Sequence, residues 1–314
     1  MKKVLVTGSI AYDTIMVFQD RFRNHLLADQ LHILNVCFVA PEMRREYGGT
    51  AGNIAYNLRL LGEDPLVMAT VGDDIGPYLQ RFERLGIATG LLKRIPGQFT
   101  AQAFITTDLD DNQITAFHPG AMNYAHENRV TRELGAGLAI VAPDGKEGML
   151  RHAEECHAAG VPFVFDPGQG LPMFSGAEIS EFVRRADYVA VNDYEGKLLE
   201  EKSGRKLEQL AREVKALVCT LGAKGSLIFA GGARHEIPSV AADAVVDPTG
   251  CGDAYRAGLL YGIAQGWDWA STGKLGAVMG ALKIAHRGAQ NHAAAREAIE
   301  ARFRKTFGYS PWKN

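Results

Sequence analysis

The segment VVDPTGCGDAYRAG, residues 245–258, brings Gly250, Cys251, Gly252 and Asp253 to the point where a helical pattern begins. Glycine loses more backbone entropy on folding than any other residue, so a pair flanking one cysteine needs a reason. Two reasons are available. In the first, the glycines make a turn and Asp253 caps the helix behind it. In the second, they let several backbone N–H groups converge on one spot, where unpaired amides and the helix dipole hold an anion. A phosphoryl group gaining charge in transfer suits such a nest, and Asp253 at its edge could accept the proton of an attacking hydroxyl. The segment by itself decides for neither.

Three further segments carry side chains suited to related chemistry. YGGTAGNIAYNLRLLG (47–62) sets Gly48, Gly49 and Asn53 at another helix start, where close backbone approach and an amide side chain suit a ligand rich in hydroxyls. NDYE (192–195) ends a strand-like run and brings Asn192 and Glu195 to a helix N-terminus. Either these two form a capping box, or Glu195 holds water on Mg2+, a cation that prefers oxygen ligands and keeps several waters. CTLGAKGS (219–226) is a strand followed by a turn, either a plain hairpin or a place where Thr220 and Gly222 touch nucleotide phosphates.

Other phosphate devices are missing. STGKLG (271–276) comes nearest to a P-loop but lacks the first glycine and the hydroxyl after the lysine. VTGSIAYD, after the first strand, has no G-x-G-x-x-G, which removes a dinucleotide-dependent dehydrogenase, and the protein-kinase signatures are absent. Phosphate chemistry therefore falls to 247–253. His152, Cys156 and His157 cluster in sequence, but a structural metal site takes four ligands, so they read as one side of an ordinary helix. Cys251, a thiol at a helix N-terminus, either has a lowered pKa and reacts readily or is a small residue tolerated in a tight loop.

These segments need elements to hold them. Short β-rich runs at 4–9, 66–72, 138–143, 162–168, 188–193, 216–222 and 226–232 alternate with the helical stretches GNIAYNLRLLG, PYLQRFERLG, MLRHAEECHAAG, EISEFVRRA, LEQLAREVKA and AYRAGLLYGIAQG. Several runs are apolar without alternation, as strands covered on both faces are. The order predicts an α/β fold in three layers, α/β/α, with a mostly parallel central sheet whose ligands sit beyond the carboxyl ends of the strands. Two regions break the pattern. Residues 14–46 contain LHILNVCFVA, strand-like and without a helix partner, and 98–118 read as two strands around Asp110, Asp111 and Asn112, a hairpin. They are expected to form a small β-sheet lid inserted in an α/β domain of residues 1–13, 47–97 and 119–314. Such a sheet cannot bury both faces alone, so it closes over a ligand, packs on a second subunit, or does both.

A net charge of −2 leaves no basic footprint for nucleic acid. The apolar stretch after Met1-Lys2-Lys3 meets Asp13 too soon for a signal peptide, and no run reaches the roughly 18 apolar residues of a membrane span. Four scattered cysteines without a C-x-x-C pattern suit a reducing cytoplasm.

DPTGCGD resembles the D-T-x-G-A-G-D signature of the ribokinase-like (PfkB) carbohydrate kinases. GGTAGN is similar to that family's N-terminal glycine signature, NDYE to its N-x-x-E and TLGAKGS to its nucleotide-binding turn, and the four stand in the family's order from residue 47 to 253. Within the family, VTGSIAYD, FHPGAMN (117–123), FDPGQG (165–170) and VNDYE resemble segments of bacterial adenosine kinases more than of ribokinase. The resemblance implies a ribokinase-like fold and ATP- and Mg2+-dependent transfer of the γ-phosphoryl group to the 5′-hydroxyl of adenosine, giving AMP, as in purine salvage. It implies Asp253 as general base, with Gly250, Cys251 and Gly252 as anion hole. Asp13, Gly48, Gly49 and Asn53 would bind ribose hydroxyls, Ser9 and Gln169 would lie near the nucleoside, and Phe117 from the lid would stack on the base. Asn192 and Glu195 would serve Mg2+ and phosphate, while Thr220, Gly222 and Gly225 would line the ATP site. Asp247 and the Thr249 carbonyl match the positions of a K+ site.

Three departures from the family pattern stand out. Cys251 replaces the more common alanine, Gly170 follows Gln169 where a second polar residue is expected, and Ala103, with Phe104 beside it, aligns with a second aromatic of the lid. A sugar kinase for ribose or fructose is the nearest rival reading, opposed by Phe117. A catalytically silent nucleoside-binding protein is another, opposed by Asp253 with its glycines and Glu195. The expected partners are a nucleoside, ATP and a second subunit docked through the lid.

Overall fold

Consecutive residues of the first strand are buried on opposite faces: Val4 and Val6 belong to one hydrophobic core, Leu5 to another. That is why the run is apolar without alternation, and it requires helices on both sides of the sheet. The computed structural model describes residues 3–26, 35–110 and 112–312. Its strands, in chain order, are β1 (Lys3–Thr7), β2 (Ala11–Val17), β3 (Glu42–Gly48), β4 (Leu66–Val71), β5 (Leu92–Arg94), β6 (Ala101–Thr107), β7 (Gln113–His118), β8 (Ala136–Val141), β9 (Phe163–Phe165), β10 (Tyr188–Asn192), β11 (Ala216–Thr220), β12 (Ser226–Ala230) and β13 (Ala233–Ile237). The helices are α1 (Thr50–Leu60), α2 (Gly76–Leu85), α3 (Lys146–Ala159), α4 (Gly176–Arg185), α5 (Asp193–Ser203), α6 (Leu207–Leu210), α7 (Cys251–Ala264), α8 (Trp269–Lys283) and α9 (Arg296–Phe307).

The large sheet runs β13-β12-β11-β10-β9-β8-β1-β4-β5. Only β12 is antiparallel to its neighbours; every other pair is parallel. One face is covered by α1, α2, α7, α8 and α9 through Ile54, Phe82, Leu260, Val278 and Phe303. The other is covered by α3 to α6 through Met149, Phe182, Leu199 and Leu210. The result is the three-layer α/β/α arrangement. β5 and β13 carry no apolar pattern because they are the edges: in β13 only Ile237 is buried. The helix expected over LEQLAREVKA is shorter than its spacing suggests. The Lys215 amide is already bonded to the Asp187 carbonyl beside β10, so the chain leaves the helix early to enter β11. Among the described residues no helix is long and apolar enough to cross a membrane, and all four cysteines are free thiols.

The small sheet runs β3-β2-β6-β7. Residues 31–34 of LHILNVCFVA lie outside the described residues, and residues 35–40 form no strand. The strand of that region is instead β3, whose sequence EMRREYG is too polar to read as one. Asp111, expected in the hairpin turn, also lies outside the described residues. Beside it the Asp108 carboxylate accepts the amides of Asp110, Asn112 and Phe22, which ties the hairpin to the start of a short turn at Phe22–Asn24. The register across the sheet pairs Glu46, Asp13, Ala103 and Phe117 in one row, so these four side chains share a face.

Candidate active site

The side chains singled out in the sequence gather where the parallel strands end. Ser9 follows β1, Asn192 ends β10, and Thr220 ends β11 as its direct register partner. Facing them is the start of α7. Gly250 is its N-cap with φ 78°, a backbone that side-chain-bearing residues rarely adopt, and a Cβ there would fall 2.7 Å from that of Ala289. Asp253, in the first turn of the helix, makes no capping bond. Its Oδ2 accepts instead from Asn53 Nδ2 of α1, at 2.8 Å. The capping reading of Asp253 therefore fails, and its carboxylate turns toward α1 and the 47–62 segment.

A relay fixes that pair. Gln290 Nε2 donates to Asn53 Oδ1 (3.0 Å) and to the Tyr78 hydroxyl (2.6 Å), while Tyr78 donates to the Gly48 carbonyl (2.7 Å). With Asn53 Oδ1 occupied, its amide nitrogen has to face Asp253. Burial pushes the Asp253 carboxyl up to about 7; Asp166 and Glu195 add to the shift, while Asn53 and Arg256 oppose it. The Cys251 amide is spent on the Pro248 carbonyl (3.1 Å). Among the described residues no backbone acceptor takes the amides of Gly250, Gly252 or Asp253.

Arg256, one turn beyond Asp253, is 4% exposed and forks onto Asp166 at 3.1 and 3.2 Å, with Glu195 at 3.8 Å. Neither Asp166 nor Arg256 was singled out from the sequence, although an arginine inside the apolar run AYRAGLLYG was a visible signal. Gln290 offered none, because its role lies in a contact with Asn53 across the chain. Asn192 and Glu195 do form the capping box: Asn192 Oδ1 accepts from the Glu195 amide and Glu195 Oε2 from the Asn192 amide, both at 2.8 Å. Burial raises the Glu195 pKa. Among the described residues no three His, Cys, Asp or Glu side chains come together to hold a metal. One carboxylate beside an anion site fits Mg2+, which is bound mainly through water and substrate phosphates.

In the small sheet, Asp13 is pushed up to about 6 by burial and by the Glu46 and Asp247 carboxylates; Gly288, whose amide Asp247 accepts, lies against Glu46 of the same sheet face. Gly49 has φ 84°, and a Cβ there would fall 2.5 Å from the Ser9 carbonyl. Ser9 Oγ accepts the Thr50 amide at 3.1 Å. Phe117 is exposed on the same sheet face as Asp13, whereas Phe104 lies on the opposite face and cannot complete an aromatic pair with it. Gln169 is exposed in the turn Gly168–Met173. Thr220 and Ser226 close a hairpin whose turn contains Gly222 and Gly225, so the plain hairpin is present.

Two expectations need correction: Cys251 leaves the expected anion hole, because its amide is bonded to the Pro248 carbonyl, and the K+ site does not fit. Asp247 Oδ1 accepts the Thr249 amide (2.9 Å), Oδ2 the Gly288 amide (2.8 Å), and the Asp247 carbonyl accepts Lys283 Nζ (2.7 Å). With both carboxylate oxygens engaged and an ammonium on its carbonyl, Asp247 does not fit as a K+ ligand, which removes the site expected at Asp247 and the Thr249 carbonyl. Burial pushes the Cys251 thiol up to about 11, overriding the helix terminus, so it is the small residue of a tight loop. Cys251→Ala is expected to keep turnover within about twofold, and exposed Cys37 to react with iodoacetamide well before Cys251; rapid labelling of Cys251 contradicts this. In α3, His152 and Cys156 are buried, with His152 pushed down to about 4, while His157 is exposed, as on an ordinary helix.

The profile of the pfkB family carbohydrate kinase matches residues 1–296. The solved structure of Burkholderia thailandensis nucleoside kinase in complex with inosine superposes with a TM-score of 0.90 at 52% identity, over 99% of this chain and 100% of that one. The nucleoside kinase of Methanocaldococcus jannaschii is 30% identical over 273 residues, 86% of this chain and 90% of its own length. Adenosine kinase from Sinorhizobium meliloti shares the fold, with a TM-score of 0.76 at 24% identity over 97% of this chain and 99% of that one.

Proposed function

The chain belongs to the pfkB family of carbohydrate kinases, and from that premise we propose that it transfers the γ-phosphoryl group of ATP to the 5′-hydroxyl of a purine nucleoside, adenosine and inosine among them. Adenosine is favoured by the sequence segments shared with bacterial adenosine kinases, inosine by the Burkholderia thailandensis nucleoside kinase bound to it. The observation that carries the reading is Asp253, held by Asn53 beside the amides of Gly250, Gly252 and Asp253 itself. A carboxylate with a pKa near 7 is ionised in about half of the molecules at neutral pH, and that form is basic enough to take the proton of an alcohol entering an in-line attack. The amides then receive the charge that develops on the transferred group.

Asp13, Gly48, Gly49 and Asn53 hold the ribose hydroxyls, with Ser9 and Gln169 along the nucleoside and Phe117 against the base. Asn192, Thr220, Gly222 and Gly225 line the ATP side. Glu195 and Asn192 would hold Mg2+ through water, and the ion would supply neutralisation of phosphate charge. Residues 14–46 and 98–118 act as the lid on a domain of 1–13, 47–97 and 119–314, excluding water from the transfer. The outer face of that lid exposes Met43, Phe104 and Ile114, which a second copy covers in a homodimer. Light scattering that finds only monomer at working concentration removes the dimer. An ATP-consuming enzyme of this kind works in the cytoplasm.

The test is ADP release from ATP and Mg2+ with adenosine, inosine, guanosine, uridine, ribose and fructose in turn. Purine nucleosides are expected to lead. A ranking headed by ribose or fructose makes the chain a sugar kinase, and saturable nucleoside binding without ADP release makes it a silent binder. Base stacking contributes about 1–3 kcal/mol, so Phe117→Ala is expected to raise the nucleoside KM roughly five- to a hundredfold with kcat less affected. An unchanged KM takes Phe117 off the base.

A further inference from the structure

Lys283, the last residue of α8, is 0% exposed. Its Nζ donates to the Asp247 carbonyl at 2.7 Å and to the His286 carbonyl at 3.0 Å. Burying an ammonium is costly unless it is hydrogen-bonded, so the position needs a reason. A lysine that merely caps its helix bonds the helix's own last carbonyls; here neither carbonyl belongs to α8. One of them opens the turn that ends in the Gly250 and Gly252 amides. The Asp247 carboxylate binds the same two stretches from its other end, through the Thr249 and Gly288 amides. Gly258 of α7 meets Gly276 of α8 so closely that a Cβ at 258 would lie 2.7 Å from the Gly276 Cα, and this contact fixes the two helices around the turn.

We propose that the Lys283 ammonium is a built-in monovalent cation: it ties the Asp247 carbonyl, at the base of the 247–253 turn, to the His286 carbonyl as a bound K+ would, and so frees phosphoryl transfer from any need for K+. An ammonium and K+ carry the same charge and seek the same carbonyl oxygens, but the lysine is tethered and cannot dissociate. Lys283 is a positioning residue, acting through the turn on the amides that meet the phosphoryl group. The inference rests on the kinase reading above, and its test separates the two.

Initial rates are compared in tetramethylammonium chloride and in KCl at equal ionic strength. The natural enzyme is expected to respond to K+ by less than about twofold. Lys283→Met is expected to lose about tenfold or more in kcat, the effect of disturbing a preorganised electrostatic element, with KM for the nucleoside little changed. K+ or NH4+ then restores part of the rate, and K+ raises the melting temperature of Lys283→Met but not of the natural chain. Strong K+ stimulation of the natural enzyme overturns the proposal, as does a Lys283→Met enzyme at full rate without K+, or a loss that no monovalent cation repairs. If Lys283→Met does not fold, Lys283→Gln takes its place, and the K+ response of the natural enzyme decides on its own. If the natural enzyme phosphorylates no nucleoside, the kinase reading fails, and the melting-temperature response to K+ still decides for or against the lysine.

Discussion

Asp253→Asn is expected to lower kcat for nucleoside phosphorylation by at least about 10²-fold, the contribution typical of a general base, while nucleoside KM stays within a few fold. Asparagine keeps the shape and can still accept the Asn53 bond, so geometry survives and only proton uptake is lost. Two pH measurements sharpen the test. The carboxyl titrates near 7 in the folded chain because it is buried, so kcat/KM of the natural enzyme is expected to fall below pH 7 as the base takes up its proton. The effect on stability has the opposite direction. Raised from 3.8 in the folded state, the carboxyl binds its proton more tightly there than in the unfolded chain. Its contribution to stability is therefore full at low pH and is lost as pH rises through 7. Asp253→Asn removes that loss, so the variant's melting temperature relative to the natural chain is expected to be higher at pH 8 than at pH 4. A variant that turns over within threefold of the natural rate removes Asp253 from the chemistry.

What the sequence revealed and what it hid follow from the range of the interactions. The 247–253 turn was legible because its geometry is local: Gly250 must carry a positive φ, and the amides beside it lie next to it in the chain. The strands of the large sheet were legible because both of their faces are buried, which leaves continuous apolar runs. β3 was not, since a strand with most of its residues exposed or half-buried is written in Glu, Met and Arg. Cys251 shows a local rule overtaken by packing. The helix terminus argues for an acidic thiol, yet burial beside Asp247 and Asp253 raises its pKa. Phe104 shows the cost of a one-residue step in a strand, which carries a side chain to the other face. Gln290 and Lys283 were beyond reach for a different reason. Each works through partners far away in the chain, Asn53 and Asp247, and no spacing announces such a bond.

Arg256→Met is expected to destabilise the fold by about 3–5 kcal/mol, because it strands buried carboxylates rather than deleting a surface charge. Asp166 loses both arms of the guanidinium and Glu195 its nearest cation, while Asp253 stays close to both. The size of the loss depends on pH with a definite sign. The Glu195 pKa is already raised by burial with Arg256 holding it down, so without the arginine it rises further. Acids with raised folded-state pKa values cost most when ionised, and the deficit in urea unfolding is expected to be largest at pH 8 and smaller at pH 5. Activity follows the same logic, since Arg256 also restrains the Asp253 pKa, and the acidic limb of kcat/KM in any folded Arg256→Met enzyme moves to higher pH. Arg256→Lys keeps the charge but not the fork onto Asp166, and is expected to fall between the two. Arg256→Met combined with Asp166→Asn recovers part of the stability, since one stranded charge is gone. A single Arg256→Met variant that loses under about 1 kcal/mol, equally at pH 5 and pH 8, shows that the arginine is not what stabilises these buried carboxylates in their ionised form.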